Sequence, residues 1–235
     1  MNIQGYLDYI NAPWGKLFYR LVWKELPYEG KVILDFGSGF GVTASHLAEC
    51  NTVYAVEPNQ EMLAHRLKEH PYTQLTGSTR VLREFPDGFF DVILCHNVLE
   101  YTEAPAAILQ ELSRLLKGGG TLSLVKHNAP GKVFQKAVFE NRAEEALALL
   151  QGEQAVSENF GEVREYTEEE LTAWCGKDFL IEKQCGIRIF YGLQKNDFKF
   201  EPGWEDRLYA LECAAAEMPM FRDTAFFHHV ILKKR

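Results

Sequence analysis

The chain has 235 residues, 46% of them hydrophobic and 25% charged, which provides for a sizeable core and excludes wholesale disorder or a disulfide miniprotein. No stretch approaches the roughly 18 consecutive apolar residues of a membrane span, and the start MNIQGYLDYINAPWGKLF lacks the basic and apolar regions of a secretory signal, so a soluble, cytoplasmic protein is expected. The formal net charge of −8 argues mildly against a polyanionic partner.

Periodicity predicts a helix over 16–26 after a Pro13–Gly15 turn. KVILDF (31–36) reads as a strand, followed by the glycine loop GSGFG (37–41) and helical VTASHLAEC. TVYAVE (52–57) is a second strand, stopped by Pro58 and followed by helical NQEMLAHRLKEH. FFDVILCHN (89–97) and TLSLVKHN (121–128) repeat the pattern around the helix PAAILQELSRLLK and the glycine stop 118–120. Strands alternating with helices imply an α/β fold, a Rossmann-like, mostly parallel sheet with helices on both faces. A mostly helical, glutamate-rich stretch then runs to about 175, with Thr167 and Glu170 placed as a capping box. FLIEKQCGIRIF (179–190) is expected to be a strand kinked at Gly186, DRLYALECAAAEM a helix, and AFFHHVILKK a closing strand.

Charge is uneven along this order. Nine glutamates between Glu144 and Glu170 stand against Arg164 alone, while 126–142 is locally basic through Lys126, Lys132, Lys136 and Arg142 against Glu140. The five cysteines are widely spaced without a CxxC pair, so neither a metal site nor a disulfide framework is expected.

The chemistry lies in LDFGSGFG (34–41). Glycines at a strand-to-helix turn let backbone N–H groups approach a ligand closely. The dinucleotide pattern GxGxxG fails, because Val42 stands three places after Gly39. Instead GxGxG is preceded by Asp35, and Glu57 ends the second strand, where an acid is placed to accept both hydroxyls of a ribose.

With these residues the chain resembles the class I S-adenosylmethionine-dependent methyltransferases over 31–128. The resemblance implies a seven-stranded sheet whose last strand is antiparallel, with S-adenosyl-L-methionine as cofactor and S-adenosyl-L-homocysteine as product. It implies that Gly37, Ser38, Gly39 and Gly41 line the methionine end, that Glu57 holds the ribose, and that Pro58 and Met62 lie near the adenine. The backbone at Cys95 and His96 then meets the amino group. Where many members carry an acid for the adenine, this chain has GSTRVL (77–82), with Ser78 and Thr79 as polar substitutes.

CHNVLEY (95–101), LSLVKHNAPG (122–131), CGIRIF (185–190), the Gly15–Leu17–Trp23 spacing and the ending LECAAAEMPMFRDTAFFHHV are similar to the bacterial enzymes that methylate carboxymethoxyuridine at the tRNA wobble position. That resemblance implies a tRNA acceptor, reconciled with the net charge if the local basic residues line the site's rim. It also places Phe18 where those enzymes are basic, so Lys16 or Arg20 is expected on the methionine carboxylate. A small carboxylate-bearing metabolite is the alternative acceptor. A carboxylate acceptor needs a cation, and Arg188 is the candidate because guanidinium matches it bidentately. His96 is the candidate base, and Asn128 a candidate donor to the acceptor. Tyr9, Trp14 and Tyr101 are candidate stacking residues. A single domain is expected, with a core of about 28–128, closing strands 179–190 and 225–234, and lid insertions of about 129–175 and 193–222. Two other classes stay open: an NAD-dependent oxidoreductase, disfavoured by Val42, and a binding module without chemistry.

Overall fold

The computed structural model describes residues 3–152, 156–157, 161–162 and 164–235, with backbone alone at 156–157 and 161–162. Glu153, Glu158 and the Glu162 side chain of the acidic stretch lie outside the described residues. Close contacts divide the chain into two units. The sheet unit is 27–125, 166–183 and 230–235; the helical unit is the chain up to Leu26, 126–165 and 184–229.

The strands are β1 (Val32–Phe36), β2 (Thr52–Glu57), β3 (Thr73–Thr76), β4 (Phe90–His96), β5 (Leu116–His127), the short pair β6 (Val156–Ser157) and β7 (Gly161–Glu162), β8 (Phe179–Ile187) and β9 (Phe227–Lys234). Seven form one sheet in the order β3-β2-β1-β4-β5-β9-β8. β1 pairs in parallel with both β2 and β4, and β4 with β5. β9 runs against β5: Lys234 Nζ donates to the Leu116 carbonyl at one end, while Asn128 N donates to the Phe226 carbonyl at the other. Chain order reverses at β1, which puts a topological switch point at its carboxyl end, the usual place for a ligand on such sheets.

Continuous apolar runs make the inner strands, since both faces of a parallel sheet are covered. Leu34, Val56, Ile93, Leu122 and Leu124 are all fully buried, and α5 (Pro105–Leu115) contributes Leu109, Leu112 and Leu115 to the same core. The strand after α5 starts directly at Leu116 and runs through glycines 118–120, which the sequence suggested as a stop. Residues 166–175, read from sequence as part of the first insertion, place Tyr166, Leu171 and Cys175 in this core. Their helix α8 (Glu168–Cys175) has the expected capping box: Thr167 Oγ1 accepts from Glu170 N, and Glu170 Oε2 from Thr167 N.

In the helical unit, α1 (Ile3–Asn11) and α2 (Pro13–Lys24) replace the single helix expected over 16–26. Pro13 begins α2 where a turn was expected, because a proline at the first helical position lacks only an N–H that the helix leaves unpaired anyway. α6 (Ala129–Phe134), a π-helical stretch (Gln135–Phe139), α7 (Ala143–Leu150), α9 (Trp204–Ala215) and α10 (Pro219–Arg222) complete it. The strand expected to reach 190 ends at Ile187, because Arg188 takes a left-handed φ of 63°. Among the described residues no helix is long and apolar enough to cross a membrane.

Candidate active site

In the sheet unit, the loop between β1 and α3 (Val42–Leu47) carries Gly37, Gly39 and Gly41 at φ of 82°, 55° and 70°. Side chains rarely adopt this region. Gly37 N and Ser38 N donate to the Val56 carbonyl at 2.9 and 3.0 Å, which fastens the loop to the end of β2. Gly39 is the open point: a Cβ there would meet nothing nearer than the tip of Met62 at 3.9 Å. Beside it, Ser38 Oγ is buried without a hydrogen-bond partner. An open backbone with an unmatched hydroxyl fits a polar group that is held by the loop.

Glu57, at the end of β2, is buried and binds this loop directly. Its Oε2 accepts from Gly39 N at 2.9 Å and its Oε1 from Asn59 N at 2.8 Å. A carboxylate has about four acceptor positions, so each oxygen keeps capacity for one hydroxyl. Asp35 is buried within reach of Glu57's charge, and burial first, then that charge, pushes its carboxyl up to about 7. Asn59 caps α4 (Gln60–Ala64), with Oδ1 accepting from Glu61 N and Met62 N. Helix was expected to reach His70, but it stops early because Leu67 N donates to the Phe40 carbonyl of the glycine loop. That return brings the Tyr72 hydroxyl, which donates to the Leu67 carbonyl, onto Gly41. Tyr72 is a residue that the sequence reading missed; nothing but its hydroxyl marks it.

The remaining sheet-unit residues surround the same strand ends. Gly77 N donates to the Glu57 carbonyl, which carries Ser78 and Thr79 to the end of β2; Ser78 is exposed and Thr79 half-buried. The Cys95 thiol is buried, which raises its pKa. His96 Nε2 lies 2.8 Å from Ser123 Oγ on β5, a contact that fixes the ring. Asn97 follows at φ 53° with its N–H on the Val125 carbonyl.

The helical unit holds Asn128 and Arg188. Asn128 Nδ2 donates to the Asp223 and Ala225 carbonyls at 3.0 and 2.8 Å. The amide nitrogen expected to serve an acceptor is therefore occupied within the fold. Arg188 lies over the Phe226 ring at 4.4 Å, and its Nε is buried without a hydrogen-bond partner. Arg20, expected near a carboxylate of the cofactor, pairs instead with Glu205 and Asp206 at 3.3 and 2.7 Å; Lys16 is exposed. Tyr9 stacks on Tyr6, Trp14 meets Phe200 edge-on, and in the sheet unit Tyr101 is exposed.

The expected basic rim is also matched by acids. Lys126 is buried with its Nζ near the His127 carbonyl. Lys132 is buried 2.8 Å from Glu165, an ion pair without aligned hydrogen-bond geometry. Lys136 pairs with Glu140 and Glu145, and Arg142 with the same two.

Residues 34–124 match the family model described as methyltransferase domain. That match spans the glycine loop and strands β1 to β5 of the sheet unit. A ubiquinone biosynthesis O-methyltransferase of Pseudomonas paraeruginosa is 33% identical over 129 residues, covering 52% of this chain and 54% of the relative. The chain thus matches about half the length of that relative. A Klebsiella pneumoniae protein of the same name is 28% identical over 183 residues, 74% of this chain and 71% of that one. Among solved structures, a SAM-dependent methyltransferase of Thermotoga maritima superimposes with a TM-score of 0.67 at 18% identity, covering 99% of this chain and 95% of its own. An S-adenosylmethionine-dependent methyltransferase of Mesorhizobium loti does so at 0.59 and 17%, covering 95% and 98%. The fold is that of the class I methyltransferases, and S-adenosylmethionine is the cofactor that domain and fold imply.

Proposed function

We propose that the chain transfers a methyl group from S-adenosylmethionine to an oxygen of a small molecule, with S-adenosylhomocysteine as product. The carrying observation is the glycine loop, open at Gly39, beside the unmatched Ser38 hydroxyl and bound by a Glu57 carboxylate with acceptor capacity left. S-adenosylmethionine supplies a methyl group on a positively charged sulfur, so the protein's part is placement and proton removal. Gly37, Ser38, Gly39 and Gly41 receive the methionine end, and Glu57 accepts from the ribose hydroxyls. Met62 and Pro58 flank the adenine, Ser78 and Thr79 offer it hydroxyls, and the backbone at Cys95–His96 meets the amino group. Asp35 supports the loop from beneath. His96, fixed by Ser123, takes the proton of a hydroxyl acceptor.

The relatives named as ubiquinone biosynthesis O-methyltransferases support an oxygen acceptor on a small molecule. A tRNA wobble carboxylate is the other reading. It rests on the whole-chain resemblance, and the acids beside Lys132, Lys136 and Arg142 weigh against a basic rim for RNA.

Calorimetric titration with S-adenosylmethionine should show binding that Glu57→Ala weakens at least ~10-fold, since hydrogen bonds to a charged group contribute roughly 1.5–3 kcal/mol each. NAD should not bind. Unchanged affinity in a folded Glu57→Ala protein removes this residue from the site. Radiolabelled methyl transfer should enter the metabolite fraction of a cell extract; label in the RNA fraction instead would overturn the small-molecule reading.

A further inference from the structure

Within the sheet unit, the segment that follows α4 folds back on the glycine loop as a strap. Leu67 N donates to the Phe40 carbonyl at 2.8 Å, and His70 N donates to Ser45 Oγ on α3 at 3.3 Å. His70 Nδ1 lies 3.2 Å from the Ser45 carbonyl. The strap also closes on itself, because the Tyr72 hydroxyl donates to the Leu67 carbonyl at 2.9 Å. Leu67 is thus held at both of its backbone polar groups, one by the loop and one by Tyr72. Its side chain is exposed and adds little apolar burial. At this residue the fastening is polar.

Gly41 lies against that same hydroxyl. A Cβ at 41 would fall on the Tyr72 oxygen and sit 2.9 Å from Tyr72 Cζ, whereas at Gly39 it would meet nothing nearer than 3.9 Å. The ring could turn away from such a Cβ only by giving up its bond to Leu67. The two positions are therefore glycine for different reasons: 39 leaves room for a ligand, and 41 leaves room for a tyrosine. Burial raises the pKa of the Tyr72 hydroxyl, and the Asp35 charge adds to the rise against Arg66. The hydroxyl accordingly stays protonated, the form that donates to Leu67.

We propose that Tyr72 is a positioning residue for the cofactor: it locks the glycine loop in the shape that leaves Gly39 open, and residue 41 lacks a side chain in order to admit that lock. This rests on the S-adenosylmethionine reading above. The chain of contacts is continuous. Tyr72 holds the Leu67 carbonyl, Leu67 N holds the Phe40 carbonyl, and Phe40 links Gly41 to Gly39, whose N–H donates to Glu57. Gly41 N closes the loop on the Ser38 carbonyl at 2.8 Å. A loop held in its binding shape before the ligand arrives loses less conformational freedom on binding. Tyr72 thus acts through backbone at 40 and 41.

Calorimetric titration of S-adenosylhomocysteine into the full chain, at a temperature where circular dichroism shows each variant folded, tests the lock. Tyr72→Phe keeps the ring and removes the bond to Leu67, so affinity should fall about 3- to 10-fold, the loss of one hydrogen bond. A merely structural tyrosine would lower the urea midpoint and leave the affinity of the folded protein unchanged; that result overturns the proposal. Gly41→Ala should weaken binding at least ~10-fold, through the clash and the left-handed backbone. Adding Tyr72→Ala to it removes what the Cβ meets, so the double variant should bind at least ~5-fold more tightly than Gly41→Ala alone, a coupling of contacting residues. A double variant as weak as Gly41→Ala overturns the lock. Hydrogen exchange gives a readout without ligand: the Leu67 N–H should exchange at least ~3-fold faster in Tyr72→Phe, as local opening requires, and an unchanged rate also overturns it. A wild-type chain that binds no S-adenosylhomocysteine, with the Leu67 rate still raised in Tyr72→Phe, overturns the cofactor reading and the positioning role with it, but leaves the contact between Tyr72 and Gly41 standing.

Discussion

Glu57 in the sheet unit and Glu212 in the helical unit are both buried carboxylates that accept from backbone N–H groups. Glu57 takes two such bonds, one from each of two separate segments, and each oxygen keeps room for another donor. Glu212 takes three from consecutive residues, and Oε1 receives two of them. The first arrangement leaves a carboxylate able to serve a ligand; the second uses it to shape a turn that begins at left-handed Arg188. Burial alone therefore does not mark a binding acid. Remaining acceptor capacity does.

The contrast breaks most sharply at Glu212. Glu212→Leu leaves three N–H groups without an acceptor, those of Ile189 and Tyr191 buried and that of Phe190 partly so; at roughly 1–3 kcal/mol each, a loss on the order of 5 kcal/mol in urea unfolding is expected. Glu212→Gln keeps one acceptor oxygen and should lose less. If Glu212→Leu unfolds at the wild-type urea concentration, the carboxylate does not hold the turn. The matching loss for Glu57→Ala should fall mainly on cofactor affinity.

A second prediction uses the charge each acid faces. Glu212 faces Arg188, whereas Glu57 faces Asp35, whose carboxyl burial lifts to about 7. With the folded value raised above the unfolded one, folding takes up a proton between about pH 4 and 7. Stability is then full below pH 4 and falls as pH rises through 7, by on the order of 4 kcal/mol. Asp35→Asn should flatten that fall when unfolding free energy is measured from pH 4 to 7.5. Parallel wild-type and variant curves would show that Asp35 is ionised throughout.

The same contrast explains what sequence carried. The loop glycines and Glu57 were legible because backbone conformation and strand-end position demand those residue types at fixed spacing. The strands β1, β2 and β4 followed from apolar runs that a doubly covered sheet requires. Tertiary contacts were not legible: the early end of α4 comes from Leu67 reaching the Phe40 carbonyl, and the occupied amide of Asn128 from carbonyls nearly 100 residues away. Glu212 carries no local signal, since it acquires its meaning from N–H groups distant in sequence. The basic stretch 126–142 misled for a related reason. Counting charge does not show which acids fold back on it.

That last point gives the smallest effect. Lys136 lies between Glu140 and Glu145 at 2.7 and 2.9 Å, and all three are at least partly exposed. Pairs of this kind contribute about 0.2–1 kcal/mol and weaken with salt, so Lys136→Met should lower stability only slightly. Its diagnostic value lies with RNA. A basic rim contacting phosphates would give single-stranded RNA affinity a log–log salt slope of about −0.7 per contact. With Lys132 and Lys136 matched by acids, the slope between about 25 and 200 mM salt, over which the Debye length shortens roughly threefold, should be near zero, and replacing both lysines by methionine should leave it there. Fluorescence anisotropy with a labelled RNA measures this directly. A steep slope that the double replacement flattens would mean that RNA displaces Glu165, Glu140 and Glu145 from their partners, and the tRNA reading would regain its footing.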